Sequence, residues 1–293
     1  ARSAAAAGVS AGSWGQGGPL TLSPGADEDG KPRQEKKHVF VLGFPGDMSA
    51  SQVENLRQEV TALVSWARPQ RGDEVVLVLN SGGGTVTGYG MAAAQLARIK
   101  QAGIKLTVCV EQVAASGGYM MACTADRLCA SPFAVLGSIG VISEMPNVHE
   151  RLQREGVEFQ TVTAGRYKRT LSPFKKPTEE DFNKNKEDIE QVFALFKKFV
   201  ATHRPALDIE AVATGETWFG TDALDRKLVD ELITVDDVLL QYKAQGAEIL
   251  SIKYTDPIKR ARRLLGADAL GGLDLPGLLA SAALRLLGLQ PPP

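Results

Sequence analysis

Ser116 stands in the run Ala114-Ala115-Ser116-Gly117-Gly118-Tyr119. Before it, Lys105 to Glu111 is an apolar, β-branched run of strand length, and after it Met120 to Ala125 is rich in helix formers. Strand, small-residue turn and helix put the hydroxyl at or near a helix N-terminus. There the first backbone N–H groups lack intrahelical acceptors and can receive negative charge. A serine so placed has a candidate oxyanion site in its neighbours' amides. The same residues also read as a helix cap beside two glycines, and so short a motif does not decide between the two. A second small-residue run, Asn80-Ser81-Gly82-Gly83-Gly84, follows the apolar strand pattern Glu74 to Leu79. Its glycines either make a tight turn or let backbone amides approach a carbonyl oxygen closely, since no Cβ intervenes. It is not a phosphate loop, because no Lys-Ser or Lys-Thr follows.

A nucleophilic serine needs a base. His38, His149 and His203 are scattered, and the last two lie in helical surroundings with no acid placed to orient them. A lysine serves only when neutral, which burial or a positive neighbour favours. Lys168 follows an alternating, strand-like run, Val157 to Val162, and a turn at Gly165, with Arg166 and Arg169 beside it. Local sequence alone favours a solvated basic loop there. Cys109, Cys123 and Cys129 are spaced 14 and 6 apart, with no CxxC, so neither a zinc site nor a disulfide framework is indicated.

The elements that must position these residues are legible from periodicity. Val39 to Leu42 reads as a strand ended by Gly43, Pro45 and Gly46, and Ser49 to Gln52 resembles a capping box. Val53, Leu56, Val60 and Leu63 mark an amphipathic helix, and Ala92, Leu96 and Ile99 a second one. Glu74 to Leu79 has the continuous apolar character of a buried parallel strand. The order strand, glycine turn, helix, strand, small-residue turn, helix predicts an α/β fold with crossovers. In such sheets the loops at the strand C-terminal ends share one rim, so Asn80 to Gly84 and Ala114 to Gly118 are expected to face each other. Further on, Gly137 and Gly140 break an apolar run, and Met145-Pro146-Asn147 opens a helix through Arg154. Thr178 caps a long helix with Phe182, Ile189, Phe193, Phe196 and Val200 as one stripe.

Composition sets outer bounds. The 293 residues are 44% hydrophobic and 23% charged, which suits a globular chain with a sizeable core. A net charge of -1 gives no electrostatic case for nucleic acid. Residues 1–37 read as a disordered or processed tail, rich in Ala, Ser and Gly. Its first 26 residues, with Arg2 and no acid, also have the composition of an organelle transit-sequence remnant. Residues 38–245 read as one folded domain and 246–293 as a C-terminal extension. Within that extension, Leu278 to Leu287 has the make-up of an amphipathic helix for a membrane surface or a neighbouring subunit.

Several motifs in order carry a resemblance. They are Asn80 to Gly84, Ala114 to Met120, Gly137-Ser138-Ile139-Gly140-Val141, Met145-Pro146-Asn147, Thr163 to Thr170, Phe199 to Asp208 and Val212 to Trp218. Together they resemble the SohB and signal peptide peptidase A family of serine peptidases, its SohB branch most, from about Val39 to about Lys243. The resemblance implies a ClpP/crotonase-like α/β fold of repeated βαβ units with a helical C-terminal part. It implies a Ser/Lys dyad, with Ser116 as nucleophile and Lys168, 52 residues on, as general base. The amides of Gly83 or Gly84, with Gly117, would form the oxyanion hole. The family often reads Ser-Pro-Gly-Gly where this chain has Gly82 for the proline, which leaves open which glycine donates. No metal and no cofactor are implied. The expected activity is a serine endopeptidase acting on signal-peptide-like or membrane-associated peptides. The expected form is a homo-oligomeric ring with the sites on its inner face, at a membrane surface of a bacterial-type envelope or of an organelle such as a plastid. One departure stands out: the family usually carries an N-terminal membrane helix, and no apolar run here is long enough to span a bilayer. The alternative is a non-proteolytic protein of the same fold, either a CoA-thioester enzyme or an inactive scaffold. A crotonase-type enzyme would place carboxylates at its glycine-built hole, and here Ser116 and Lys168 hold the matching positions.

Overall fold

The computed structural model describes residues 36–255. The expected tail up to residue 35 and the expected helix Leu278 to Leu287 lie outside the described residues. In chain order the elements are β1 (His38–Gly46), α1 (Val53–Trp66), β2 (Glu74–Ser81), α2 (Val86–Gln101), β3 (Lys105–Ala115) and α3 (Gly117–Ala122). Then follow β4 (Arg127–Ala130), β5 (Val135–Gly137), α4 (His149–Arg154), α5 (Glu179–His203), α6 (Ile209–Val212) and β6 (Thr217–Phe219). The described part ends with α7 (Gly220–Asp225), β7 (Glu231–Leu232), α8 (Val235–Ala244) and β8 (Glu248–Ser251).

The strands form one eight-stranded sheet in the order β6-β5-β3-β2-β1-β8, with β4 between β3 and β7. Every pairing is parallel except β5 with β6. The expected α/β fold of β-α units is therefore present. Helices on both faces explain why the central strands are apolar almost throughout. Phe40, Leu42, Phe44, Val75, Leu77, Leu79, Leu106, Val108 and Val110 belong to one buried cluster with Leu56, Val60 and Leu63 of α1 and Leu96 and Ile99 of α2. The alternate positions Val39, Val76, Cys109 and Cys129 pack with Val235, Val238 and Tyr242 of α8. Cutting one of these leucines back to alanine is worth about 2–5 kcal/mol in a core of this kind.

Some local expectations give way. β1 runs through Gly43 and Pro45 to Gly46 because β2 pairs with it all the way to Gly46↔Ser81. Ser49 to Gln52 is not a capping box: Gln52 precedes α1 without a side-chain bond, and the Asp47 carboxylate takes the Ser49 and Ser51 amides instead. Val157 to Val162 is not a strand. Among the described residues no strand lies beside it, so its alternation has no sheet face to bury, and its side chains stay exposed. Thr178 does cap α5, in a capping box with Asp181, but only Phe196 and Val200 of the predicted stripe are buried. Residues 248–251 lie beyond the expected domain end at 245, yet they form β8 beside β1. Among the described residues no helix is long and apolar enough to cross a membrane.

Candidate active site

β2 and β3 deliver the site. They pair in parallel from Glu74↔Lys105 to Leu79↔Val110, and then the register shifts so that Ser81 lies opposite Ala114. Glu111, Gln112 and Val113 are the residues by which β3 bulges there, and the Asn80 side-chain amide donates to Gln112 Oε1 at 3.0 Å. Beyond the restored register, the chain leaves β2 into Gly82-Gly83-Gly84 and leaves β3 into Ser116. The two expected loops do meet. A Cβ at Gly83 would lie 2.7 Å from the Ala115 carbonyl oxygen, 2.7 Å from the Gly117 nitrogen and 2.8 Å from the Ser116 Cβ.

Ser116 sits at φ 52°, ψ -119°, a conformation that costs a non-glycine residue about 1–3 kcal/mol. Its N–H donates to the Gly137 carbonyl at 2.8 Å, and its own carbonyl accepts from Met120 N–H at 3.0 Å, so the turn is held from both sides. The two glycines after it answer to close approach. A Cβ at Gly117 would meet the Tyr89 ring at 2.4 Å, and one at Gly118 would meet the Ser81 carbonyl oxygen at 2.4 Å. Ser116 itself is half-buried, with α3 wholly buried behind it.

The three loop glycines differ. Gly82 faces open space, with nothing within 4 Å of an added Cβ, so position 82 tolerates a side chain sterically. Gly83 holds φ +89° and donates its N–H to Ser81 Oγ at 3.1 Å. A Cβ at Gly84 would strike the Met48 carbonyl oxygen at 2.0 Å, and that oxygen accepts Thr85 N–H at 2.9 Å. Among the described residues the Gly84 and Gly117 amides have no protein acceptor, unlike that of Gly83. The loop from Gly46 to Ala50 abuts this wall. Its Asp47 carboxylate is held at a pKa of about 2, below the ordinary carboxylate value, by hydrogen bonds from the Ser51 hydroxyl, the Ser51 amide and Ser49.

The histidines are engaged elsewhere: His149 Nδ1 with the Phe174 carbonyl at 3.1 Å, His203 Nδ1 with the Phe199 carbonyl at 2.9 Å, and His38 Nδ1 with Arg71 at 2.8 Å. Lys168 lies on the long connection between β5 and α5, exposed, in a turn closed by its N–H to the Gly165 carbonyl at 3.1 Å. Among the described residues no hydrogen bond joins it to Ser116, and no carboxylate pairs with it, whereas neighbouring Arg166 is held by Glu180 at 2.8 Å. The same connection exposes Ile142, Met145, Val157, Phe159, Val162 and Tyr167. Its two ends are stitched together by Asn147, whose side-chain amide donates to the Ser172 and Lys175 carbonyls at 3.1 and 2.9 Å. Sequence reasoning missed Tyr89, Ser81 and Asp47, which line the site from beneath. Ser81 had a signal in its place beside the glycines; Tyr89, the fourth residue of α2, had none.

Comparison with known proteins identifies the family. The model of peptidase family S49 matches residues 98–249, and the model of that family's N-terminal region matches residues 24–96. A protein called probable protease SohB from Haemophilus influenzae is 49% identical over 221 residues, which cover 75% of this chain and 62% of that protein. A probable protease SohB from Buchnera aphidicola of the aphid Acyrthosiphon pisum is 47% identical over 222 residues, covering 76% of this chain and 65% of that one. The chain thus spans somewhat under two thirds of the length of these relatives. Among solved structures, a ClpP1 mutant from Listeria monocytogenes is similar with a TM-score of 0.46 and 15% identity, over 68% of this chain and 94% of that one. With the family model over half of its length and relatives near half identity, the chain belongs to peptidase family S49.

Proposed function

We propose that the chain is a serine endopeptidase that hydrolyses peptide bonds with Ser116 as nucleophile and Lys168 as general base. The observation that carries this reading is the packing of Gly83 against the strained Ser116 turn, with the Gly84 and Gly117 amides beside it left without acceptors among the described residues. Ser116 Oγ would attack the scissile carbonyl while Lys168 Nζ takes its proton and passes it to the leaving amine. Water would then release the acyl group by the same proton route. The oxyanion donors in this reading are Gly84 and Gly117, since the Gly83 amide is already spent on Ser81.

Lys168 enters through the family resemblance, and its lack of a carboxylate partner among the described residues supports the role, because an ion pair would hold its proton in place. In a single chain it is exposed. Assembly into a ring would cover the apolar side chains of its connection, and taking a lysine out of water favours its neutral form. Signal-peptide-like or membrane-derived peptides, met at a membrane surface, are the substrates that the family resemblance implies. The CoA-thioester alternative needs a free carboxylate at the glycine loop, and Asp47, the acid of the abutting loop, is spent on Ser49 and Ser51. The test is incubation of the purified protein with a fluorophosphonate probe and with fluorogenic peptides. Labelling of Ser116 and peptide cleavage, both lost in Ser116→Ala, are expected. Cleavage that survives Ser116→Ala would overturn the reading.

A further inference from the structure

A buried chain of hydrogen bonds runs beneath the glycine loop. Tyr89 of α2 is wholly buried, and Ser81 is 2% exposed. The Tyr89 hydroxyl donates to the Asp47 backbone carbonyl at 2.7 Å. A phenol has one proton, so Tyr89 Oη can only accept from Ser81, whose Oγ lies 2.5 Å away. That uses the one proton of Ser81, and Ser81 Oγ in turn accepts the Gly83 N–H at 3.1 Å. The direction of donation is therefore fixed from end to end: Gly83 amide to Ser81, Ser81 to Tyr89, Tyr89 to the Asp47 carbonyl. The Tyr89 ring meanwhile lies under the other loop, where a Cβ on Gly117 would meet its Cγ at 2.4 Å. Its hydroxyl also blocks any side chain at Gly46, where a Cβ would come within 2.5 Å of it.

One side chain thus supports both backbone segments that carry the acceptor-free amides. We propose that Tyr89 is the positioning residue of the oxyanion site. Through Ser81 its hydroxyl turns the Gly83 amide inward, which leaves the Gly84 amide facing away from the loop's own acceptors. Its ring sets the height of the Gly117 amide against Ser116. Tyr89 touches no substrate; it acts through the loops. This rests on Ser116 being the nucleophile. Removing only the phenolic oxygen leaves the Ser81 hydroxyl without its acceptor and the Asp47 carbonyl without its donor, and buried groups so stranded repack until they are satisfied. A displacement on the order of 1 Å in such a site costs about 100-fold in rate.

The experiment measures inactivation of wild type, Tyr89→Phe, Ser81→Ala and the double variant by a fluorophosphonate probe. The maximal rate and the half-saturating concentration are recorded separately, the adduct is located by mass spectrometry, and the melting temperature is taken for each protein. Wild type is expected to be labelled on Ser116. Each single variant is expected to lose roughly 10- to 100-fold in maximal rate, with little change in half-saturation. The double variant is expected to fall no further than the worse single, since both cut one chain. If wild type is not labelled on Ser116, the nucleophile assignment fails and the positioning role fails with it. If wild type is labelled there and the folded variants keep its maximal rate, Tyr89 is a packing residue and this proposal alone is overturned. A change confined to half-saturation or to melting temperature overturns it equally. Should Tyr89→Phe fail to fold, Ser81→Ala decides by the same criterion.

Discussion

A methyl group on Gly83 would sit 2.8 Å from the Cβ of Ser116. The glycine loop and the serine turn therefore cannot be altered independently. Gly83→Ala is expected to push the serine off line and lower kcat by about 100-fold or more, with a smaller effect on KM. Gly82→Ala is the matched control, because its Cβ meets nothing within 4 Å, and it is expected to turn over at nearly the wild-type rate. Steady-state kinetics on a fluorogenic peptide separate the two. An effect of Gly83→Ala on KM alone, or an equal loss at position 82, would sink the assignment of this loop.

Ser116 pays a conformational cost that glycine would not, since glycine adopts a φ of 52° freely. Ser116→Gly is expected to be inactive yet more stable than Ser116→Ala by about 1 kcal/mol. Denaturant unfolding of the two variants beside wild type makes the comparison. A glycine variant less stable than the alanine variant would show that the turn is not strained at this residue, and turnover in either would exclude Ser116 as nucleophile.

The strands were readable because burial on both faces leaves an unbroken apolar run, as in Val75 to Leu79, and α1 and α2 because their apolar positions recur at three and four. The meeting of Gly83 with Ser116 followed from two such strands being parallel neighbours. Three things were not readable. The register shift opposite Ser81 depends on how β3 bulges, which no local pattern encodes. Tyr89 lies near the start of α2, and its link to Ser81 and Asp47 spans separate elements. The run Val157 to Val162 alternates like a strand, but a strand also needs a neighbour, and pairing is decided by topology.

The loop that abuts Gly84 should respond to acid. Hydrogen bonds from Ser51, above all its hydroxyl, and from Ser49 hold the Asp47 pKa at about 2, against an ordinary 3.8. A folded value below the unfolded one means that the carboxylate stabilises the fold above the unfolded pKa, and that this contribution is lost as pH falls through about 2. Asp47→Ala is expected to be less stable than wild type at neutral pH, with the gap narrowing below about pH 4 and closing toward the folded value. Urea midpoints for both proteins across that range check this. A gap independent of pH would mean that the serine bonds do not depend on the charge.

Lys168 carries the sharpest prediction. Arginine keeps the charge and much of the reach of lysine but cannot give up its proton, so Lys168→Arg and Lys168→Ala are both expected to be inactive. Lys175→Ala and Lys176→Ala, in the following loop, are expected to be mild, although Lys175 also pairs with Asp181 at 2.9 Å. His149→Ala is expected to retain activity, because its ring is engaged by the Phe174 carbonyl. If assembly covers the connection that bears Lys168, a charge placed on Val162, which is 99% exposed in the single chain, should act at a distance. Val162→Glu is then expected to shrink the assembly, read by light scattering, and to lower turnover in step with it. Kinetics of the six variants beside wild type, each with a measured molecular mass, test the whole set. Near-normal turnover in Lys168→Arg, or a dead His149→Ala beside an active Lys168→Ala, would exclude the serine–lysine mechanism. A Val162→Glu protein of unchanged mass and activity would remove assembly as the means of covering Lys168.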